Sequence, residues 1–422
     1  MGAGLQTTDE RETGEELSGT PGLRIVVFSS LFPNAAAPNA GSFIRERMFR
    51  VARRVPVVVV APMAWSPLDW LVRRFRPGFR PPAARYETMD GIDVFRPRYL
   101  SLPGILKGAD GASMALGSYR TVRRLQEGFR PTLIDAHFVY PDGYAATRIG
   151  RRLRLPVAIS IRGSKDQSLV GTGRETTLRR ALAAAQGLIA VSEQLVQDVA
   201  VPLGVPAGRV VVIGNGVDTN RFRARDKAIA RRRLGLGETD RVLVGVGNRI
   251  PLKGFQRVIP LLVELRQEFP GLKYLVVGGP GQQADYLPAL QRLAEDHGVA
   301  DMVRFCGPQP PNELAWHYAA ADVFVLATAY EGWANVLLEA MACGLPVVTT
   351  RVGGNPQVVA SPDCGILVDY WDPKAFSRAI GEALRRPWDR AAIRTWAKAN
   401  DWEARIDRLI HYLAGVAERG CH

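Results

Sequence analysis

What most limits this chain is a rhythm that runs through it twice. Short apolar runs at Leu23–Ser30, Val55–Pro62, Leu133–Phe138, Pro156–Gly163, Gly187–Ser192 and Val210–Gly214 alternate with longer helical patterns such as Phe43–Arg54 and Arg174–Ala185. Runs that are apolar on nearly every residue predict strands buried on both faces, as parallel strands are. The rhythm restarts at Arg241–Asn248 and continues through Lys273–Gly279, Met302–Gly307, Asp322–Thr328, Pro346–Arg351 and Gly365–Asp369. Two doubly wound α/β domains follow, joined near Asp218–Asp226, and a pair of such domains implies a cleft between them where a ligand binds. The expected boundaries are a leader over 1–21, a first domain over 22–218, a second over 219–390 and a terminal segment over 391–422. Within that segment Trp396–Ala417 is helical in pattern, with Trp402, Ile406, Leu409, Ile410 and Leu413 on one side.

At 422 residues and 47% hydrophobic the chain can bury a large core. Cys306, Cys343, Cys364 and Cys421 are scattered and show no C-x-x-C spacing, which predicts reduced thiols and a cytoplasmic setting. Residues 1–20 hold five acids against Arg11 and no apolar run, so they read as a mobile leader rather than a signal or anchor. No run approaches the roughly 18 to 20 apolar residues needed to span a bilayer. The expectation is a soluble or peripherally attached protein. Residues 22–220 carry 28 Lys/Arg against 14 Asp/Glu, whereas 221–422 carry 26 against 22. A basic first half suits a polyanionic partner, and an arginine-biased genome accounts for it equally well.

The strongest local signal runs from Glu331 through Gly332, Trp333, Ala334, Asn335 and Val336 to Glu339, followed by Ala340–Pro346. It leaves a predicted strand and enters a helix, so its main-chain N–H groups and the positive end of the helix dipole suit a phosphate. Glu331 lies before the helix and Glu339 within it. One carboxylate can then face a sugar while the other reaches a diol farther along a nucleotide. Arg249 and Lys253, four apart after the first strand of the second half, suit a diphosphate that gains charge as it departs. No D-x-D triplet occurs, so phosphate neutralisation does not require a divalent metal.

The E-G-x-x-N-x-x-L-E run followed by A-M-A-C-G-x-P-V-V resembles the signature of glycosyltransferase family 4, retaining enzymes of the GT-B fold. The resemblance covers roughly 23–415 and is most specific in the second half. It implies two facing Rossmann-like domains with parallel sheets and a deep interdomain cleft. It also implies that Glu331 approaches the donor sugar, that Glu339 holds the ribose, and that the amides from Gly332 to Val336 meet the diphosphate. Arg249 and Lys253 resemble the family's G-R-x-x-x-x-K-G segment, with Asn248 where Gly is usual. Gly41 resembles its first-domain glycine loop, and His137 its histidine near the sugar's primary hydroxyl. A structural, hydrogen-bonded histidine is the other reading of His137. Arg162, in an Arg-Gly pair where relatives often have His-Gly, resembles a subgroup that builds cell-surface polysaccharides. Arg162 and Asp166 are expected to touch acceptor or phosphate, or to pair with each other. Asn215–Asp218 resembles the N-G-V-D hinge turn, a structural role beside which Asn215 is also expected to meet the donor, and Trp402-Glu403 resembles the closing segment that packs back on the first domain.

The function so implied is transfer of a hexose-type sugar from a UDP- or GDP-sugar, without cofactor or metal, to a glycan or polyprenyl-linked acceptor. The alternatives are a non-catalytic nucleotide-sugar binder and a nucleotide-sugar epimerase. In the segment Trp65–Arg85, Trp65, Trp70, Leu71, Val72, Phe75 and Phe79 are interleaved with Arg73, Arg74, Arg76, Arg80 and Arg85, which suits an anionic surface at the inner face of the cell membrane or a polyprenyl-diphosphate acceptor, or else forms a solvated loop. Nucleic acid is not expected as a partner, since only net charge speaks for it.

Overall fold

The structure, a computed structural model, describes residues 22–420 apart from 77, 282–284 and 371. The leader expected over 1–21, and Cys421, lie outside the described residues. Every run read as a strand forms one. The first half contains β1 (Ile25–Phe28), β2 (Val57–Val60), β3 (Met63–Trp65), β4 (Tyr86–Met89), β5 (Ile92–Phe95), β6 (Arg98–Leu100), β7 (Leu133–His137), β8 (Val157–Ile161), β9 (Gly187–Ala190) and β10 (Val211–Val212). Eight of them build a sheet in the order β10-β9-β8-β7-β1-β2-β5-β4, and β3 pairs with β6 apart from it. Within the sheet only the β4–β5 pair is antiparallel.

The second half contains β11 (Arg241–Val246), β12 (Leu272–Val277), β13 (Val303–Gly307), β14 (Val323–Leu326), β15 (Val347–Thr350) and β16 (Gly365–Val368). They form one parallel sheet in the order β13-β12-β11-β14-β15-β16. In both sheets the winding reverses at the first strand, between β1 and β7 and between β11 and β14. Ligands of doubly wound sheets bind beyond the carboxyl ends of the strands at such reversals. The loops after β1, β7, β11 and β14 therefore frame the expected binding region.

Four strands went unread: β3, β4, β5 and β6. They are three or four residues long, and β4 alternates exposed with half-buried residues and β5 buried with exposed or half-buried ones instead of running apolar. The β4–β5 turn is Asp90-Gly91, both with positive φ, a two-residue hairpin turn that the dipeptide announces.

The chain crosses between the halves twice. The outward crossing follows β10: Ile213 packs with the first core, while Val217 and Phe222 pack with the second. The return falls at Asn400–Asp401, because the helix expected over Trp396–Ala417 is two helices. Arg390–Ala399 stays in the second core through Ile393 and Ala397. Asp401, whose side chain accepts from the Glu403 N–H, then caps a new helix, Trp402–Arg419. Trp402, Ile406, Leu409 and Leu413 of that helix pack with β1 and the Ser42–Val51 helix in the first core. The terminal segment expected from 391 thus returns about one helix later, since a capping Asp rather than the apolar pattern sets the break. The two crossings lie side by side: Val217 and Asp401 form a parallel bridge, and the Val217 N–H donates to the Asn400 carbonyl at 3.1 Å.

Candidate active site

After β14 the chain turns through Thr328–Ala334 and enters the Asn335–Ala342 helix. The N-cap residue is Ala334, which has no side chain to cap the helix. In its first turn the Asn335 N–H donates to the Trp333 carbonyl and the Leu337 N–H to the Ala334 carbonyl, both at 3.1 Å, and no side chain caps the turn. Glu331, 9% exposed, sits just before that turn. Lys253, closing the 3₁₀ turn after β11, donates from Nζ to Glu331 Oε1 at 2.5 Å, and the Thr328 hydroxyl approaches the same oxygen at 3.3 Å. A glycine pair holds Glu331 from behind. Gly354 N–H donates to the Glu331 carbonyl at 2.9 Å. Gly353 has φ 50°, and a Cβ there would lie 2.8 Å from the Glu331 carbonyl carbon. Neither glycine was singled out from the sequence, although consecutive glycines directly after a buried strand are the signal of such a close approach.

Arg249 does not join Lys253. Its guanidinium pairs with Asp285 at 3.1 Å, donates to the Gly278 carbonyl and is buried. The structure therefore brings one of the two expected cations to Glu331 and holds the other against β12. Glu339, half-buried farther along the helix, accepts from the Tyr318 hydroxyl at 2.9 Å. Burial pushes its carboxyl up to about 7, with the Tyr318 hydroxyl and the Arg221 charge pulling the other way.

On the first half, Gly41 precedes the Ser42–Val51 helix with φ 66°, and a Cβ would lie 2.8 Å from the Leu31 carbonyl carbon. Only glycine fits the turn there. His137 ends β7 and is fully buried. Arg162, one residue beyond β8, donates from Nε to His137 Nδ1 at 3.1 Å. Arginine only donates, so Nδ1 accepts and the imidazole proton rests on Nε2, which lies 3.6 Å from Asp135 Oδ2 and makes no hydrogen bond among the described residues. Burial, reinforced by the Arg162 and Arg47 charges, holds His137 well below its usual range, so the ring is neutral. Nδ1 is thus committed to Arg162, while the Nε2 proton is left without a hydrogen-bond partner among the described residues. Asp166 receives the Arg162 main-chain N–H at 2.7 Å and that of Val139 at 2.8 Å, so it pairs with the backbone of Arg162 and not with its guanidinium.

The Arg162 guanidinium also donates to Asn215 Oδ1 at 3.1 Å, and Asn215 Nδ2 donates to Asn335 Oδ1 at 3.0 Å. A polar chain thereby runs from His137 in the first half to the opening residue of the helix in the second. Gly332 lies where the halves touch: a Cβ on it would sit 2.6 Å from Gly163 Cα. The Trp333 indole packs on Gly214, with the Arg405 guanidinium 5.0 Å from its ring. The carboxyl ends of both sheets face each other here. His137, Arg162, Asn215, Gly332, Asn335, Glu331 and Lys253 stand in one connected region. Arg249 and Glu339 are turned to other partners, Asp285 and Tyr318.

The geometry agrees with comparisons to known proteins. Residues 226–400 match the family model "Glycosyl transferases group 1", and residues 51–221 match "Glycosyltransferase Family 4". The chain is 30% identical over 390 residues to a D-inositol 3-phosphate glycosyltransferase of Corynebacterium jeikeium, covering 87% of this chain and 89% of that one. It is 39% identical over 226 residues to a GDP-mannose-dependent alpha-(1-6)-phosphatidylinositol monomannoside mannosyltransferase of Mycolicibacterium smegmatis, covering 50% and 58%. With a D-inositol 3-phosphate glycosyltransferase of Segniliparus rotundus the identity is 33%, over 67% of this chain and 66% of the relative. Several curated relatives are thus matched over about half to two thirds of their length. The fold is that of Anabaena Alr3699/HepE crystallised with UDP, with a TM-score of 0.70 and 18% identity over 93% of this chain and 100% of that one. The two matched models, the full-length relative and the facing Rossmann-like sheets agree: this chain belongs to glycosyltransferase family 4, with the GT-B fold.

Proposed function

We propose that the chain moves a hexose from a nucleoside diphosphate sugar to a glycan or lipid-linked acceptor, with retention at the anomeric carbon, in the building of cell-surface polysaccharide. The observation that carries this reading is the 2.5 Å pair of Lys253 and Glu331 beside a helix N-terminus with no side-chain cap. In a bound state Glu331 accepts from hydroxyls of the sugar, and Lys253 turns to the diphosphate. The bond from the anomeric carbon to the phosphate oxygen breaks as the acceptor oxygen bonds on the same face. The acceptor proton passes to the leaving phosphate. Lys253, Arg249 once freed from Asp285, and the main-chain N–H groups of Gly332–Val336 offset its charge without a divalent metal. Glu339 accepts from the ribose diol. The named relatives make GDP-mannose the first donor to try, with inositol 3-phosphate and phosphatidylinositol-type acceptors beside polyprenyl-linked ones.

The acceptor side supports a membrane-borne acceptor. The Asp69–Phe75 helix leaves Trp70 69% and Phe75 78% exposed, and Trp65, Leu68 and Leu71 are exposed around it. Arg74 and Arg76 stand exposed among them, while Arg73 is tied to the Phe79 and Arg80 carbonyls. Among the described residues no helix is long and apolar enough to cross a membrane. Such a face rests in a headgroup layer by its aromatics and basic residues.

The test is nucleoside diphosphate release from UDP- and GDP-sugars with EDTA present, with and without these acceptors, and product anomers read by NMR. A product of unchanged anomeric configuration is the expected result. An inverted product, a dependence on added metal, or conversion of the donor without an acceptor would each overturn the corresponding part of the reading.

A further inference from the structure

At the opposite end of the first sheet from the candidate active site lies a groove of about 1070 Å³. It opens beside Pro156 and Val157, where β8 begins, whereas Arg162 follows the strand's far end. One five-residue strand separates the two places, roughly 16 Å of chain. Arg148, Arg151, Arg154, Arg180 and Arg419 line this groove, and the described residues that line it include no Asp or Glu. All five are exposed. Among the described residues none of them is ion-paired; Arg148 lies against the Tyr144 ring at 5.6 Å. Elsewhere on the surface arginines meet carboxylates, as Arg54 meets Glu403 and Asp407, and Arg385 meets Glu268.

The arginines come from three separate elements. Arg148 and Arg151 belong to the Tyr144–Leu153 helix, and Arg154 follows it in a left-handed conformation. Arg180 belongs to the Glu175–Ala184 helix and Arg419 ends the closing helix. A helix C-terminus favours a cation in its own last turn, which accounts for Arg151 and Arg419 one at a time. It does not account for Arg180, which lies inside its helix, nor for the gathering of five like charges around one concavity. Like charges so gathered repel one another, and a bound polyanion relieves that repulsion. The guanidinium fork matches phosphate oxygens two at a time, and the volume is that of a small-molecule site rather than of a single phosphate.

We infer that this groove binds a ligand bearing two or more phosphate groups, apart from the donor site and with no dependence on the reading of the cleft. Such phosphates are carried by a soluble polyphosphate or by the headgroups of an anionic lipid. Two arms of one experiment separate these sources.

In the first arm inorganic tripolyphosphate is titrated calorimetrically into the whole protein at fixed ionic strength, into Lys253→Ala to remove the cleft's phosphate contact, and into R151Q/R180Q. In the second arm flotation with phosphatidylglycerol vesicles is compared for the whole protein, W70A/F75A and R151Q/R180Q. A saturable event that persists in Lys253→Ala and weakens about tenfold or more in R151Q/R180Q establishes the site for a soluble ligand. Vesicle binding that persists in W70A/F75A and falls in R151Q/R180Q, without tripolyphosphate binding, establishes it for a lipid headgroup. Binding in both arms that is unchanged in R151Q/R180Q, or none at all from folded protein, overturns the proposal. A nucleoside diphosphate response in R151Q/R180Q equal to that of the unaltered protein reports that the cleft is intact in the variant.

Discussion

Glu331 and Lys253 neutralise each other at 2.5 Å. A donor that binds here must exchange one partner for another on both side chains, so each is silent in isolation and available in the complex. Glu331→Ala is expected to lower turnover by about 100-fold or more, the loss found when a preorganised transition-state contact is removed, with the melting curve little changed. Turnover within a factor of two of the starting protein would remove Glu331 from the chemistry. Glu339 allows a prediction with a sign. Its carboxyl is pushed up to about 7, so below that pH it holds a proton and accepts poorly from a diol. Nucleoside diphosphate affinity should therefore rise as pH passes from 6 to 8, and Glu339→Gln should flatten that dependence; a titration by calorimetry at several pH values decides it. The same shift makes folding take up a proton, so this group's contribution to stability declines as pH rises from the ordinary carboxyl range toward 7. At this scale the sequence was readable where a motif spans consecutive residues, as from Glu331 to Glu339. It was not readable where function depends on which way a long side chain turns: nothing in the spacing of Arg249 and Lys253 says that Arg249 reaches Asp285. His137 is a similar case, since its surroundings come from Arg162 and Asp135 on the sheet and were visible only once β7 and β8 lay side by side.

The elements of the site are joined by close main-chain approach. Gly332 meets Gly163 across the two halves, and Gly353 meets Glu331 within the second. Gly332→Ala puts a methyl group into the Arg162–Gly163 main chain, which overpacks the junction at a cost of about 1–3 kcal/mol or forces the halves apart. Small-angle scattering and donor KM should both respond; an unchanged profile and an unchanged KM would show that the approach is not required. Strands buried on both faces announced themselves because nearly all their residues are apolar. The half-exposed β4–β5 hairpin did not, because its alternating pattern is weak over four residues, though Asp90-Gly91 marked its turn. The break at Asn400–Asp401 was hidden for a related reason: apolar spacing carries on across it, and only the capping Asp401 records that one helix stops and another begins.

For the whole molecule, the closing helix Trp402–Arg419 completes the first core although the second half of the chain supplies it. Trp402 is 4% exposed, and its replacement by Ala is expected to cost about 3–5 kcal/mol, lowering the melting temperature of the first half in particular. Calorimetry that shows the second half melting earlier, with the first unmoved, would contradict that assignment. The bridge between Val217 and Asp401 has a mechanical meaning as well. Two tethers fastened side by side act as a single pivot: sliding one half past the other shears them, and twisting winds one around the other, while swinging about the line they share disturbs neither. Of the rigid-body motions open to two lobes, that leaves essentially one degree of freedom, and its radius carries Glu331 and His137 toward or away from each other.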